Sequence, residues 1–234
     1  LPTGSWTLVF EETFEGPDAD LDANWDFQNG PSGHILCSRW RENVDVADGI
    51  LKLQARKESR AGQDWTAASM WTRQTFTYGY FECRYKYARA TGTNNSFWIM
   101  TRDRPEDAEG QFEIDINEGH YPNEINTNIH NWSGEHWTQP IRMQVGDANL
   151  AKAFHVYGLE WTAERLTWSI DGAVIRREPN TICHRAAPVW LSLAVIEWAG
   201  AVTDKIDGTS LDLHYVRVHR EGRRTHNGSP KSLL

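Results

Sequence analysis

The chain has 234 residues and a mass of 26.8 kDa, which is enough for one large domain with a sizeable hydrophobic core. Its formal net charge of -8 disfavours nucleic acid as a partner, because an acidic protein repels polyanions. The mean hydropathy is -0.62, and no apolar run approaches the ~20 residues of a spanning helix, so we expect no membrane insertion.

Short apolar runs, separated by Gly, Asn and Asp at intervals of roughly ten residues, predict an all-β chain. The clearest predicted strands, in chain order, are 6–10, 51–55, 80–87, 97–100, 154–161, 166–170, 189–193 and 215–218. Asp171-Gly172 predicts a tight hairpin between two such runs. We therefore expect two antiparallel sheets packed face to face. The domain is predicted to span 1–219, followed by a polar tail over 220–234.

Tryptophan is over-represented, with 12 residues against 7 Tyr and 8 Phe, and exposed indole faces are typical of proteins that bind sugars. The three cysteines, Cys37, Cys83 and Cys183, form no C-x-x-C pair, which argues against a zinc site and a full disulfide framework. Three buried thiols, or one bridge with one free thiol, both remain open.

Three acids fall within six residues of a segment that otherwise resembles a buried strand: Glu113, Asp115 and Glu118. Strand alternation places Glu113 and Asp115 on one face, opposite the two isoleucines between and after them, but sends Glu118 to the other face. A one-residue β-bulge near Ile116–Asn117 would return Glu118 to the face of the other two acids. We expect this bulge.

Two carboxyl groups on one face suit glycoside hydrolysis, because retaining glycosidases hold a nucleophile and an acid/base ~5–5.5 Å apart. Crowded like charges raise at least one pKa, which keeps a general acid protonated near neutrality. The alternatives are an exposed acidic edge strand and a calcium site built from the same acids. Asp and Glu are poor strand formers, and the run has no internal glycine, so both alternatives fit less well.

The run Glu113-Ile-Asp-Ile-Asn-Glu118 resembles the E-x-D-x-x-E signature of glycoside hydrolase family 16, whose members cleave β-linked glucans and galactans. Further similar segments stand in the family's order, and the resemblance extends from about Trp6 to Val218. It implies a β-jelly-roll sandwich with an open cleft across the concave sheet. It also implies that Glu113 is the nucleophile, Glu118 the general acid/base and Asp115 a supporting acid of a retaining enzyme.

The sequence after the signature is similar to that of enzymes that cut β-1,4 linkages in red-algal galactans. His130 falls where galactanases of this group place a histidine beside the catalytic acids. Trp98, Trp132 and Trp137 are expected to be stacking platforms, since the apolar face of galactose lies flat on an indole.

The prediction of a sulfated or a neutral galactan as substrate depends on the arginines, because the planar guanidinium group can form two hydrogen bonds to a sulfate ester. Arg39, Trp40 and Arg41 belong to a run whose family counterpart lies at the rim of the cleft. Arg73 precedes a predicted strand, and its guanidinium and those of the run are candidate sulfate ligands. These residues favour porphyran over neutral agarose, so a β-porphyranase is predicted and a β-agarase is the alternative. Carrageenase and laminarinase activities are further possibilities.

A non-catalytic jelly-roll lectin is the alternative of another class, and the carboxylate pair argues against it. No cofactor is expected for catalysis. Relatives carry a structural calcium, for which Glu12 and Gly49 could serve, but His214 replaces the expected acid and Asp212 is two residues away. We expect a monomeric protein whose partner is a polysaccharide. It is expected to be secreted, periplasmic or on the cell surface, with a signal peptide already removed.

Overall fold

A computed structural model describes residues 1–102 and 109–222. Within that part the chain forms seventeen strands, a four-residue helix α1 (Leu21–Asn24) and four short 3-10 turns, at Asp18–Asp20, Arg41–Asn43, Glu197–Ala199 and Asp204–Ile206. The strands are β1 (Trp6–Glu12), β2 (Trp25–Phe27), β3 (Cys37–Arg39), β4 (Val44–Ala47), β5 (Ile50–Gln54), β6 (Trp65–Thr72), β7 (Gly79–Lys86), β8 (Thr93–Met100), β9 (Phe112–His120), β10 (Glu124–Asn131), β11 (Trp137–Thr138), β12 (Ile141–Gln144), β13 (His155–Trp161), β14 (Arg165–Ile170), β15 (Ala173–Pro179), β16 (Val189–Val195) and β17 (Ser210–Glu221).

The strands form two sheets. The first, called sheet A here, has the order β15-β14-β13-β7-β17-β5-β4, and β1 pairs with β17. The second, sheet B, has the order β11-β10-β9-β8-β16-β6-β2, with β12 on β10 and β3 on β6. All pairings are antiparallel except that of β3 with β6. The prediction of an all-β chain with two antiparallel sheets is confirmed.

The hydrophobic core lies between the two sheets. Alternate residues of sheet B, such as Phe97, Ile99, Ile114 and Leu191, are fully buried in it. Trp168 of sheet A reaches across the core, and its indole N–H donates to the backbone oxygen of Asp115 at 2.9 Å. The other face of sheet B is therefore free to carry polar and aromatic side chains.

The predicted strands all correspond to strands of the structure, and Asp171-Gly172 forms the hairpin between β14 and β15. Strands β2, β3, β4, β6, β10, β11 and β12 were not among the predicted elements. The last strand, β17, continues through Arg220 and Glu221, while residues 223–234 of the predicted tail lie outside the described residues. The three cysteines are buried free thiols. In the described part of the chain no helix is long and apolar enough to cross a membrane.

Candidate active site

Strand β9 contains the predicted bulge. Along β8, Phe97 pairs with Asn117 but the next residue, Trp98, pairs with Asp115, so that Ile116 has no partner of its own. The neighbouring strand β10 shows the same shift on its side. The bulge returns Glu118 to the face of sheet B that carries Glu113 and Asp115.

The three acids line a cavity of about 470 Å³ on the outer face of sheet B. Six of the predicted site residues meet there: Trp98, Glu113, Asp115, Glu118, His130 and Trp132. The cavity is also lined by Arg39, from the run predicted at the rim of the cleft, and by eight residues that were not predicted: His34, Ile35, Asn94, Ser96, Met100, Ser192, Ala194 and Trp198.

Glu113 is held by a hydrogen bond from the indole N–H of Trp132, which reaches its Oε2 at 2.8 Å. Burial raises the pKa of Glu113 well above its ordinary value, and the charge of Asp115 raises it further. His130 and the Trp132 hydrogen bond act in the opposite direction, because both favour the ionised carboxylate. Glu113 is therefore a carboxyl group whose ionisation depends on its neighbours.

Asp115 is buried, with 2% of its surface exposed, and its Oδ2 lies 3.1 Å from Nε2 of His130. Burial, and after it the charge of Glu118, raises the pKa of Asp115. The other ring nitrogen of His130 lies 3.2 Å from Nε2 of His136, and the rings of His136 and Trp132 stack at 4.0 Å. A chain of ring contacts thus connects the buried acid with the protein surface.

Glu118 accepts a hydrogen bond from the side-chain amide of Asn94, at 2.7 Å. Arg39 lines the same cavity, and the charge of Glu118 partly offsets the burial that lowers the pKa of this guanidinium. Only 9% of the Arg39 surface is exposed, and its Nε has no hydrogen-bond partner among the described residues. A buried cation that faces a cavity with an unused donor is suited to bind an anionic group.

Aromatic rings continue the site along the sheet. Trp98 stacks on Trp190 of β16 at 4.7 Å, and Trp190 packs against Trp71 of β6 at 4.6 Å. Trp198, in the turn after β16, exposes 57% of its surface at the cavity. Indole faces in such positions can carry the apolar face of a sugar ring.

Four predicted binding residues lie outside the cavity lining. Arg41 starts the 3-10 turn after β3 and pairs with Asp18 at 2.7 Å and Asp22 at 3.2 Å, which turns it away from the cavity. Trp40 has the guanidinium of Arg60 on its ring, 3.6 Å from the centroid. Neither side chain is therefore placed to contact a ligand beside the acids.

The other two predicted residues are also engaged elsewhere. Arg73 pairs with Asp26 at 3.1 Å, and its Nε donates to a backbone oxygen of β2. Trp137 is partly buried and packs against the hydrophobic core. The expectation that Arg73 reads a sulfate ester and Trp137 stacks a sugar gains no support from these positions.

Strand alternation could have identified some of the residues that sequence reasoning missed. Asn94 and Ser96 lie two and four positions before Trp98 on β8, so they share its face. The predicted rim run contains Arg39, but the sequence could not separate it from Arg41, because that distinction depends on the distant partners of Arg41. No pattern in the sequence marked Trp198.

Three of the four residues considered for a calcium site have protein partners. The carboxylate of Glu12 accepts from the backbone N–H of Phe14, and Asp212 pairs with Lys86 at 3.4 Å. His214 contacts the guanidinium of Arg84 at 2.6 Å. Cations of the protein occupy the positions beside two of these residues, so the set fits a calcium ion poorly.

Glu113, Asp115 and His130 each bring one ligand-type atom within 4.8 Å of the others. The hydrogen bonds described above account for these positions without a metal ion. The arrangement as a whole provides two carboxyl groups on one wall of a cavity, a buried acid between them in the strand, and aromatic side chains around them.

Comparison with known proteins gives consistent matches. The family model described as "Glycosyl hydrolases family 16" matches residues 33–216. A beta-glucanase of Rhodothermus marinus is 30% identical over an alignment 190 positions long, gaps included, which covers 75% of this chain and 66% of that protein. The kappa-carrageenase of Pseudoalteromonas carrageenovora is 26% identical over an alignment 262 positions long, gaps included, which covers 93% of this chain and 65% of the relative.

Solved structures agree on the fold. The laminarinase from Rhodothermus marinus superposes with a TM-score of 0.80 at 28% identity, covering 94% of this chain and all of that one. The endo-beta-1,3-glucanase from Pyrococcus furiosus reaches a TM-score of 0.82 at 24% identity, over 95% and 98% of the two chains, and supports the fold alone. The chain spans about two thirds of the length of the two curated relatives described above.

Proposed function

The chain belongs to family 16 of the glycosyl hydrolases, and from that premise we propose that it is an endo-acting, retaining β-galactanase. Its proposed substrate is an agar-type galactan of red algae, cleaved at β-1,4 linkages, with sulfated porphyran preferred over neutral agarose. The observation that carries the proposal is the convergence of Glu113, Asp115 and Glu118 on one cavity wall. A lectin has no use for this set of acids.

In the proposed first step, a carboxylate oxygen of Glu113 attacks the anomeric carbon while Glu118 donates its proton to the departing glycosidic oxygen. In the second step, Glu118 removes a proton from water, whose oxygen displaces Glu113 from the anomeric carbon. Two inversions retain the anomeric configuration. The N–H of Trp132 supports this role of Glu113, because it stabilises the ionised nucleophile.

The contact between His130 and Asp115 supports a galactan as substrate. The resemblance to galactanases predicted a histidine beside the catalytic acids, and 3.1 Å separate the two side chains. The beta-glucanase names of relatives favour a second candidate, hydrolysis of a β-glucan such as laminarin. The κ-carrageenase relative supports a sulfated galactan in general.

Arg39 supports an anionic substituent on the bound sugar. Arg41 and Arg73 have carboxylate partners outside the cavity, whereas the buried guanidinium of Arg39 lines it. A sulfate ester would supply the oxygen atoms that its Nε lacks. Because a polysaccharide is too large to enter a cell, we further propose that the protein acts as a secreted, periplasmic or surface monomer.

The first experiment is a reducing-end assay on porphyran, agarose, κ-carrageenan and laminarin, with Glu113→Gln as the inactive control. We expect release from porphyran, lower release from agarose and none from the control. Release from laminarin alone would overturn the galactan assignment in favour of the glucanase. Release from none of the four, with binding retained, would favour the lectin.

Arg39→Gln tests how the sulfate is bound. Charge-assisted hydrogen bonds contribute about 1.5–3 kcal/mol, so we expect kcat/KM on porphyran to fall about 10- to 100-fold. The value on agarose should change little. Arg73→Gln is the matched control, since it removes an arginine outside the cavity lining and should leave the ratio of the two substrates unchanged. Equal losses on both substrates in Arg39→Gln would contradict a sulfate-binding role.

A further inference from the structure

A buried polar cluster lies directly beneath the bulge of β9. The side chain of Asn117 points between the two sheets, and its amide nitrogen donates to the hydroxyl of Tyr85 at 2.7 Å and of Tyr87 at 2.9 Å. All three side chains are buried, with at most 2% of any residue exposed. Tyr85 lies in β7 of sheet A, and Tyr87 directly follows that strand. The hydrogen bonds from Asn117 therefore join the two sheets.

The cluster is a consequence of the bulge. An amide in a hydrophobic core costs free energy unless it is hydrogen-bonded, and the bulge forces Asn117 into that core. The two phenol hydroxyls satisfy its nitrogen. The contacts therefore pair the nitrogen of the buried amide with partners in the opposite sheet.

The residue after Glu118 is fixed by the same ring. Gly119 lies against Tyr87, and a Cβ at this position would overlap the ring atoms. The hydroxyl of Tyr87 also donates to the backbone oxygen of Glu124 at 3.2 Å, which ties the start of β10 to the cluster. Asn117 and Gly119, which flank Glu118 in the chain, are thus both held by contacts with tyrosines of the opposite sheet.

The tyrosines are themselves rigidly placed. Tyr85 stacks on Tyr157 of β13 with 4.2 Å between ring centroids and 20° between planes. Tyr87 lies parallel to Tyr157 at 6.1 Å. A stack of three buried rings gives the hydroxyls a fixed position relative to sheet A.

We propose that Tyr85, Tyr87 and Asn117 are positioning residues for Glu118. They touch no substrate; they hold the bulge at the register that directs the Glu118 carboxyl into the cavity. The inference rests on the proposed role of Glu118 as the general acid. A displacement of about 1 Å at a catalytic group can cost about 100-fold in rate, so a loosened bulge should impair proton donation.

The test compares kcat/KM on two substrates whose leaving groups differ in their need for protonation. The variants Tyr85→Phe and Tyr87→Phe keep the rings and remove one hydroxyl each. Their kcat/KM is measured on a natural oligosaccharide and on an aryl glycoside with a dinitrophenyl leaving group, which departs without protonation. Since kcat/KM reports the first step, only the natural bond depends on the acid.

We expect each variant to lose about 10- to 100-fold on the oligosaccharide and less than about threefold on the aryl glycoside. Tyr215→Phe is the matched control, because this tyrosine also lies in sheet A, in β17, but its hydroxyl makes no hydrogen bond to Asn117; it should retain activity on both. Equal losses on both substrates in the Tyr85 and Tyr87 variants would mean general destabilisation and overturn the proposal, as would unchanged activity.

Glu118→Ala separates this proposal from the function on which it rests. If Glu118→Ala loses activity on the oligosaccharide but keeps it on the aryl glycoside, Glu118 is the acid and the tyrosine variants decide the inference. If Glu118→Ala shows no such difference, the catalytic assignment itself fails. The single substitutions retain one of the two hydrogen bonds to Asn117, and thermal unfolding of each variant confirms that it is folded.

Discussion

Glu113 and Glu118 carry the same carboxyl group on one strand but have different partners. Glu113 accepts from the indole of Trp132, whereas Glu118 accepts from the amide of Asn94. Burial and the charge of Asp115 raise the pKa of Glu113. Two carboxyl groups of the same type thus lie in different surroundings on one strand.

The indole hydrogen bond gives a prediction for the pH profile. Trp132→Phe removes a donor that lowers the pKa of Glu113, so the pKa of this nucleophile should rise further. Because Glu113 must be ionised to attack, the acidic limb of kcat/KM against pH should move to higher pH. The measurement is kcat/KM across the pH range, with Trp137→Phe as the control outside the cavity. A limb that stays in place or moves to lower pH would contradict the assigned contact.

The shared face of the three acids was predictable from strand alternation. The acids Glu113 and Asp115 follow it directly, and Glu118 required one bulge, which the chemistry suggested. The arginines were not predictable in this way. Arg41 differs from Arg39 only through Asp18 and Asp22, which lie about twenty positions earlier and approach it only in the folded chain.

At the level of elements, the bulge of β9 depends on a close approach between the sheets. Gly119→Ala places a methyl group against the Tyr87 ring, which stacks with its neighbours and cannot move aside cheaply. We expect a loss of about 1–3 kcal/mol in the free energy of unfolding, measured by urea denaturation. Gly33→Ala is the control, since nothing lies within 4 Å of a Cβ there. Equal stability of the two variants would argue against the tight packing.

Strand β6 shows why alternation does not identify every strand. Each of its residues is buried, and it is flanked by β16, β2 and β3. Its Trp-Thr-Ala-Ala-Ser-Met-Trp-Thr sequence therefore lacks alternation and contains small residues that do not favour strands. Its position in sheet B follows only from its tertiary partners.

At the scale of the whole molecule, the net charge of -8 opposes the approach of a sulfated polymer. Screening by salt weakens this long-range repulsion, while the buried contact with Arg39 is screened much less. We expect kcat/KM on porphyran to rise between about 10 mM and 150 mM NaCl, and that on agarose to stay nearly constant. A steady fall on porphyran over this range would instead indicate that attraction to surface cations dominates.

The stacked indoles of Trp71, Trp190 and Trp98 have an optical consequence. Rings separated by 4.6 and 4.7 Å share their electronic excitation, so the three side chains should give one coupled band in near-ultraviolet circular dichroism. Only Trp98 of the three faces the acids. A sugar ring seated on Trp98 would perturb the whole band, and the protein would report the occupancy of its own cavity without any added label.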